Sequence, residues 1–411
     1  MPKPTAVDLF CGAGGLSVGL ADAGFETVFA SDIDVASGMT YRRNHPEAEF
    51  HVGDVHQLSG DAIMKATGLV RGELDLLAGG PPCQGFSIIG ARSLDDPRND
   101  LFRQFIRIAS ELRPRSILIE NVPGLMTFKN GDAMRQISEA FAEAGYSCSF
   151  AELLAAQYGA PQMRWRMVFV GFRNDLGIPR DHGIPEPTHG RRGIGELIAN
   201  CKISEEDQTG FLRAIDAIGD LPPVASGEEN PIYVGKPKRP YQVWARAGAP
   251  AKLSNHYAPR LSPQNLKRIG SLKAGQDWRD LPFDLLPAGM QQAKRKDHTR
   301  RYSRMTWDGV PRAIITRFRD PKSGEYSHPE QTRTISIREA ARIQSFRDSF
   351  VFEGSLSEQY DQVGNAVPPL LGKAIGLEIA ACLSGTATFR LKDPFSRRKG
   401  LRQIQLPFEM L

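Results

Sequence analysis

The chain has 411 residues, enough for a catalytic core and one further domain. Hydrophobic residues at 41% and charged residues at 24% are ordinary globular values, and no apolar run approaches the roughly 20 residues that span a bilayer, which excludes a disordered or helical membrane protein. The net charge of +5 is uneven: residues 186–332 hold 24 Lys+Arg against 17 Asp+Glu, a net of +7, while the remainder nets −2. That excess suits a segment facing nucleic acid, and equally a solvated basic surface.

Met1-Pro2-Lys3-Pro4 lacks a signal-peptide shape, so a cytoplasmic protein is expected. Thr5–Phe10 reads as a strand ending in a Gly-rich turn, and Leu16–Ala23 has helical spacing. Val28–Ala30 is a second strand leading into Asp32 and Asp34, and Leu74–Ala78 a third, followed by Gly79-Gly80-Pro81-Pro82. Phe102–Leu112 is an amphipathic helix, Ser116–Ile119 a strand ending at Glu120, Met134–Ala144 a helix and Met167–Val170 a strand. Strands alternating with helices predict an α/β sheet with parallel strands. Residues 177–193, rich in Pro, Gly and His, read as a linker, and 194–332 show no clean periodicity. Ser336–Phe346 returns to a helical pattern, Leu370–Leu383 is a terminal helix, and the basic stretch from about Lys392 a tail.

Ligands of such sheets sit beyond the carboxyl ends of strands, where this chain has Gly12/Gly14, Asp32, Cys83 and Glu120. Asp8-Leu9-Phe10-Cys11-Gly12-Ala13-Gly14-Gly15 lets a ligand approach the backbone at a helix start. It does not complete the dinucleotide fingerprint Gly-x-Gly-x-x-Gly, so an adenosine-containing ligand without pyrophosphate fits better. Asp32 suits ribose hydroxyls, or else is a helix N-cap. The five cysteines are scattered with no Cys-x-x-Cys pair, which argues against a disulfide framework and a zinc site. Pro81 and Pro82 stiffen the approach to Cys83, and Gly85 and Gly90 free the stretch after it, as a nucleophilic thiolate under a folding loop would need. Glu120 is a candidate proton donor to a ring nitrogen, or a salt-bridged surface residue. Arg164 and Arg166, two residues apart before a strand, are candidates to fix a carbonyl oxygen or phosphates, or simply an exposed strand face.

Taken in order, Asp8–Gly15, Gly80-Pro81-Pro82-Cys83-Gln84-Gly85-Phe86-Ser87, Glu120-Asn121-Val122, Gln162-x-Arg164-x-Arg166, Arg338–Phe346 and Gly364-Asn365-Ala366-Val367-Pro368-Pro369 make the chain resemble the bacterial-type DNA (cytosine-5) methyltransferases over most of its length. The resemblance implies a Rossmann-like S-adenosylmethionine-dependent methyltransferase sheet with helices on both faces, plus a smaller irregular target-recognition domain. It implies that Cys83 attacks a flipped-out cytosine in duplex DNA, with Glu120 and Arg166 holding the base and Arg164 positioning the site or a phosphate. For S-adenosyl-L-methionine it implies Phe10 on the adenine, Asp32 on the ribose, Asp54 at the adenine edge, and Gly12 and Gly14 along the methionine moiety. Asp8, Gly15, Leu16, Ile33, Val55, Pro81, Asn365, Ala366 and Val367 complete that cofactor set, and no metal is expected. The Leu370–Leu383 helix is expected to pack against the first strand.

The expected domains are 1–185 with 358–391 for catalysis, 186–357 for target recognition, and a tail at 392–411. A bacterial cytoplasmic monomer acting on double-stranded DNA follows, with a cognate restriction endonuclease as a possible partner and no membrane association. Two departures stand out: Phe346 is followed by Arg347-Asp348 where the family commonly has proline then aspartate, and the Cys-Phe-Thr hallmark of the tRNA-methylating branch is absent. The same chemistry on RNA and a catalytically silent DNA-binding homologue stay open beside the DNA enzyme; a nicotinamide enzyme leaves Cys83 unexplained.

Overall fold

The computed structural model describes residues 2–82, 100–123, 132–190, 210–292 and 300–387. Contacts divide the chain into two compact units, one of residues 1–159, 165–210 and 367–411, the other of 160–164 and 211–366. This departs from the expected 186–357 boundaries. Helix Leu356–Asn365 and the short segment 160–164 belong with the second unit, and 186–190 with the first. The expected tail lies outside the described residues.

The first unit is built on β1 (Thr5–Leu9), β2 (Glu26–Asp32), β3 (Glu49–Val52), β4 (Leu76–Gly79), β5 (Ser116–Asn121), β6 (Tyr146–Leu154) and β7 (Trp165–Arg173). They form one sheet in the order β3-β2-β1-β4-β5-β7-β6. The first five are parallel, as expected, but β7 runs antiparallel to β5, and β6 antiparallel to β7. The sheet is therefore mixed. Between the strands lie α1 (Gly15–Asp22), α2 (Val35–Asn44), α3 (Gly60–Thr67), α4 (Asp100–Leu112) and α5 (Asp132–Glu143).

Every residue of β4 and β5 is buried, which is why these central strands read as apolar runs rather than alternations. In α4, Phe102, Phe105, Ile108, Ala109 and Leu112 recur at helical spacing and are buried. They meet Leu9, Leu77, Ile117, Ile119, Phe141 and Phe169 in the main core.

Helix Pro369–Leu383 packs chiefly on α1 rather than on the first strand as expected. The reason is steric. A Cβ on Gly19 would lie 2.4 Å from the Pro369 carbonyl oxygen, and one on Gly376 would lie 2.8 Å from the Ala23 Cβ. Glycine alone allows these backbones to approach so closely.

The expected linker is no free tether over its described part, 177–190. Residues 182–185 are buried, and a Cβ on Gly183 would touch Phe172 and Val170. The Tyr158 hydroxyl donates to the Pro185 carbonyl, and the Thr188 amide donates to the Gln157 carbonyl. Pro and Gly here turn a strap down onto β7 rather than loosening it.

The second unit holds short helices, including Ala214–Ile218, Pro240–Arg246 and Ile337–Ile343, with isolated bridges such as Glu229 with Tyr257. Around Ile337–Ile343, buried charges lie among buried apolar side chains such as Ile337, Ile343 and Phe346. The Arg342 guanidinium donates to both Asp348 carboxylate oxygens at 2.8 and 2.6 Å and also to Asp220. Arg333 makes two 2.7 Å bonds to Glu339, whose carboxylate also accepts the Ser336 amide in a capping box. Arg347 stands 5.2 Å over the Trp244 ring, and Asp348 is fully buried, so the departure after Phe346 leaves the aspartate anchored.

No single helix among the described residues is long and apolar enough to cross a membrane.

Candidate active site

Two groups of residues gather at the carboxyl ends of the parallel strands. The first is the turn after β1. Gly12 and Gly14 have φ of +53° and +94°, and Phe10 holds φ of +57°, a left-handed conformation that costs a non-glycine residue about 1 kcal/mol. A Cβ on Gly14 would collide with His45 and Tyr41, whereas one on Gly12 would meet nothing within 4 Å, so Gly12 is required only by its backbone angle. Helix α1 begins at Gly14 without a side-chain cap.

Asp32 accepts the Gly12 amide on Oδ2 at 2.8 Å and the Asp34 amide on Oδ1 at 2.9 Å. The N-cap of α2 is Asp34, which accepts from the Ser37 amide, so Asp32 is not the helix cap. A carboxylate offers about four acceptor positions, so two backbone donors leave room for ribose hydroxyls. Burial raises the Asp32 pKa from the usual carboxylate value.

Asp8 is 1% exposed; its Oδ2 accepts the Ser17 hydroxyl at 2.6 Å, and Oδ1 has no hydrogen-bond partner among the described residues. Burial first, with the nearby Asp32 charge, pushes its pKa up to about 7. Ile33 is 71% exposed and Phe10 half-buried, giving apolar surface next to these carboxylates. Leu16 and Val55 have buried side chains, Leu16 beside Gly372 and Val55 in the main core. Asp54 caps a short 3₁₀ turn, Val55–Gln57, and is half-exposed.

The second group lies where β5 and β7 pair. Glu120 sits opposite Val168, so Arg166, two residues earlier in β7, is its diagonal neighbour on the same face. The Arg166 Nε makes an ion pair with Glu120 Oε1, and Nη1 donates to the Trp165 carbonyl at 2.8 Å. A Cβ on Gly80 would be 3.4 Å from Glu120 Oε2. Asn121 donates to the Pro81 carbonyl at 2.9 Å. The end of β5 therefore holds the chain just before Cys83, which itself lies outside the described residues. Among the described cysteines, burial raises the pKa of Cys11, Cys148 and Cys382, so these remain protonated thiols.

Arg164 corrects the expectation of paired arginines on one strand face. β7 starts at Trp165, and Arg164 belongs to the second unit, where it is 2% exposed. Its guanidinium donates to the Ile314, Gly364 and Ala366 carbonyls, which makes it a brace rather than a phosphate contact. Asn365 and Ala366 also fall in the second unit and Val367 in the first; the Asn365 side chain is exposed. Sequence reasoning named Asn121 in a motif but missed its bond to Pro81, and it missed Ser17, whose hydroxyl joins Asp8 to the Tyr41 hydroxyl at 2.8 Å. A serine in the first turn of the helix that follows the Gly-rich loop was the available signal.

Apolar surface at Phe10 and Ile33, an acceptor at Asp32 and a Cβ-free turn together fit an adenosine-bearing ligand. The profile of the C-5 cytosine-specific DNA methylases matches residues 5–381. The Type II methyltransferase M.AgeI of Thalassovita gelatinovora is 31% identical over 433 residues, covering 92% of this chain and 99% of that protein. The Type II methyltransferase M1.HphI of Haemophilus parahaemolyticus is 35% identical over 374 residues, covering 90% and 85%. A solved E. coli structure of a candidate prophage-encoded DNA modification methyltransferase aligns with a TM-score of 0.71 at 25% identity, over 93% of this chain and 99% of that one. The fold is likewise that of the S. pombe Dnmt2 methyltransferase, at a TM-score of 0.54 and 16% identity over 93% and 99%. The chain thus belongs to the C-5 cytosine-specific DNA methylases and is a DNA (cytosine-5-)-methyltransferase.

Proposed function

We propose that the chain methylates carbon 5 of a flipped-out cytosine in a specific duplex sequence, using S-adenosyl-L-methionine and a transient covalent bond from Cys83. The observation that carries this reading is the cluster of Glu120, Arg166, Asn121 and Pro81, which places an acid and a guanidinium beside the chain leading to Cys83.

Carbon 5 of cytosine is a poor nucleophile. The Cys83 thiolate adds to carbon 6, and the electron pair released reaches carbon 5 as an enamine. Glu120 hydrogen-bonds ring nitrogen 3 and the exocyclic amine, Arg166 holds the carbonyl oxygen, and the developing charge is drained between them. S-adenosylmethionine, when bound, supplies the methyl group. The carbon 5 proton is then removed by a base, water being one candidate, and Cys83 is expelled. Phe10 and Ile33 would pack the adenine, Asp32 bind the ribose and Asp54 the adenine edge. A stacked base is out of reach, so the cytosine is extruded at a cost of a few kcal/mol. The net-basic segment 186–332 is assigned to DNA recognition, through phosphate contacts that weaken with salt and base-edge contacts that set the sequence. A monomer acting beside a cognate restriction endonuclease fits the Type II relatives.

Bisulfite sequencing of plasmid incubated with protein and S-adenosylmethionine is the test. Protected cytosines in one short context are expected, and Cys83→Ser should abolish them while keeping salt-dependent DNA binding. Methylation by Cys83→Ser would rule out the nucleophile assignment; unprotected plasmid with methylated RNA would move the substrate.

A further inference from the structure

His56 lies two residues beyond Asp54, yet nothing in the sequence marks it. In the structure its ring is held at both nitrogens by carboxylates. Nδ1 is 2.6 Å from Asp54 Oδ1, and Nε2 is 2.7 Å from Asp100 Oδ2, the first residue of α4 and 44 positions away. The His56 amide also donates to Asp54 Oδ1 at 3.0 Å. One oxygen of Asp54 is thus fastened twice by the same residue, and the orientation of the other is set by that grip.

We propose that His56 is a positioning residue for the cofactor: bridged between Asp54 and Asp100, it orients the Asp54 carboxylate toward the adenine edge and ties it to the start of α4. The inference rests on the assignment of Asp54 to the adenine edge. A carboxylate on a surface turn samples several rotamers, and one that must accept from an exocyclic amine gains by being fixed beforehand. α4 already grips this turn through Arg107, which donates to the Val55 and Leu58 carbonyls at 3.1 and 2.7 Å. Arg107 holds the backbone; His56 adds the grip on the side chain.

The bridge depends on charge. An imidazolium donates from both nitrogens, whereas neutral imidazole donates from one and turns a lone pair toward the other carboxylate. The described charged groups around it are Asp54 on its own turn and Asp100, Arg103 and Arg107 from α4, the last paired with Glu111. Hydrogen bonds to Asp54 and then Asp100 raise the His56 pKa above the usual histidine value. The bridge is therefore complete below that pKa and loses one arm as pH rises through it.

Calorimetric binding of S-adenosylhomocysteine to the full chain, from about pH 6 to about pH 9, tests this in wild type, H56Q, D100N and D54A, with thermal melts to confirm folding. Wild-type affinity should fall about three- to tenfold across the His56 titration. H56Q should bind weakly throughout, without that step, and D100N should have a smaller step. If D54A binds poorly while H56Q matches wild type at every pH, the bridge does not position Asp54 and the proposal fails. If D54A binds as wild type does, the adenine-edge assignment itself falls.

Discussion

Charge is treated in opposite ways by the two units. At the strand ends of the first unit, among the described residues, Asp8 keeps an unpartnered oxygen, Asp32 is satisfied by backbone amides, and Glu120 has one arginine beside it. Around Ile337–Ile343 in the second unit, Arg342 is closed off by two carboxylates and Glu339 by Arg333 and a capping amide, all at 0–3% side-chain exposure. Fully matched charges have nothing left to offer a ligand; they specify how segments far apart in sequence meet. Incompletely matched charges are costly for the fold and are useful only where something else arrives to complete them.

That contrast can be broken most severely at Arg342. Arg342→Met leaves Asp348 buried without its cation and Asp220 with Arg246 alone, and chemical denaturation should show a loss of about 3–5 kcal/mol. Asp8 tests the other side. Its raised pKa means that the Asp8 contribution to stability is full below the ordinary aspartate range and is lost as pH rises toward 7. Asp8→Asn removes that dependence, so the stability difference between the two proteins should change by on the order of 3 kcal/mol between about pH 4 and about pH 8, measured without cofactor. A constant difference would show that Asp8 does not titrate there. Arg166→Lys keeps the charge but loses the planar fork beside Glu120, and turnover should drop about 100-fold with S-adenosylhomocysteine affinity unchanged. The smallest effect belongs to Arg347→Ala, which removes a cation from the Trp244 face and should cost about 0.5–1 kcal/mol in a denaturation curve.

The residues best legible in the sequence were those at strand ends, because a glycine turn, a proline pair or an acid directly after an apolar run marks the point where a buried strand surfaces. β3 escaped because Glu49–Val52 is only four residues with no fully buried side chain. β6 escaped because Cys148, Ser149 and Glu152 interrupt its alternation. α2 lacks an apolar stripe, with Ser37, Gly38 and Thr40 among its buried residues. The strap 177–190 misled for a different reason: its composition is that of a linker, and burial of 182–185 with the bonds from Tyr158 and to Gln157 makes it structural. The role of Arg164 is set by carbonyls 150 to 202 positions away, which no local pattern announces.

The glycine-lined contact between α1 and Pro369–Leu383 also fixes an order of events during synthesis. The face of α1 that receives this helix stays uncovered on the ribosome until some 350 further residues have been made. Contacts so far apart in sequence form late, whereas the bonds linking 211–366 close over shorter spans. The turn carrying Gly12 and Gly14 leads into that helix, so a cofactor-competent first unit is expected only after the chain has emerged, and a nascent chain halted before residue 369 should fail to retain S-adenosylhomocysteine.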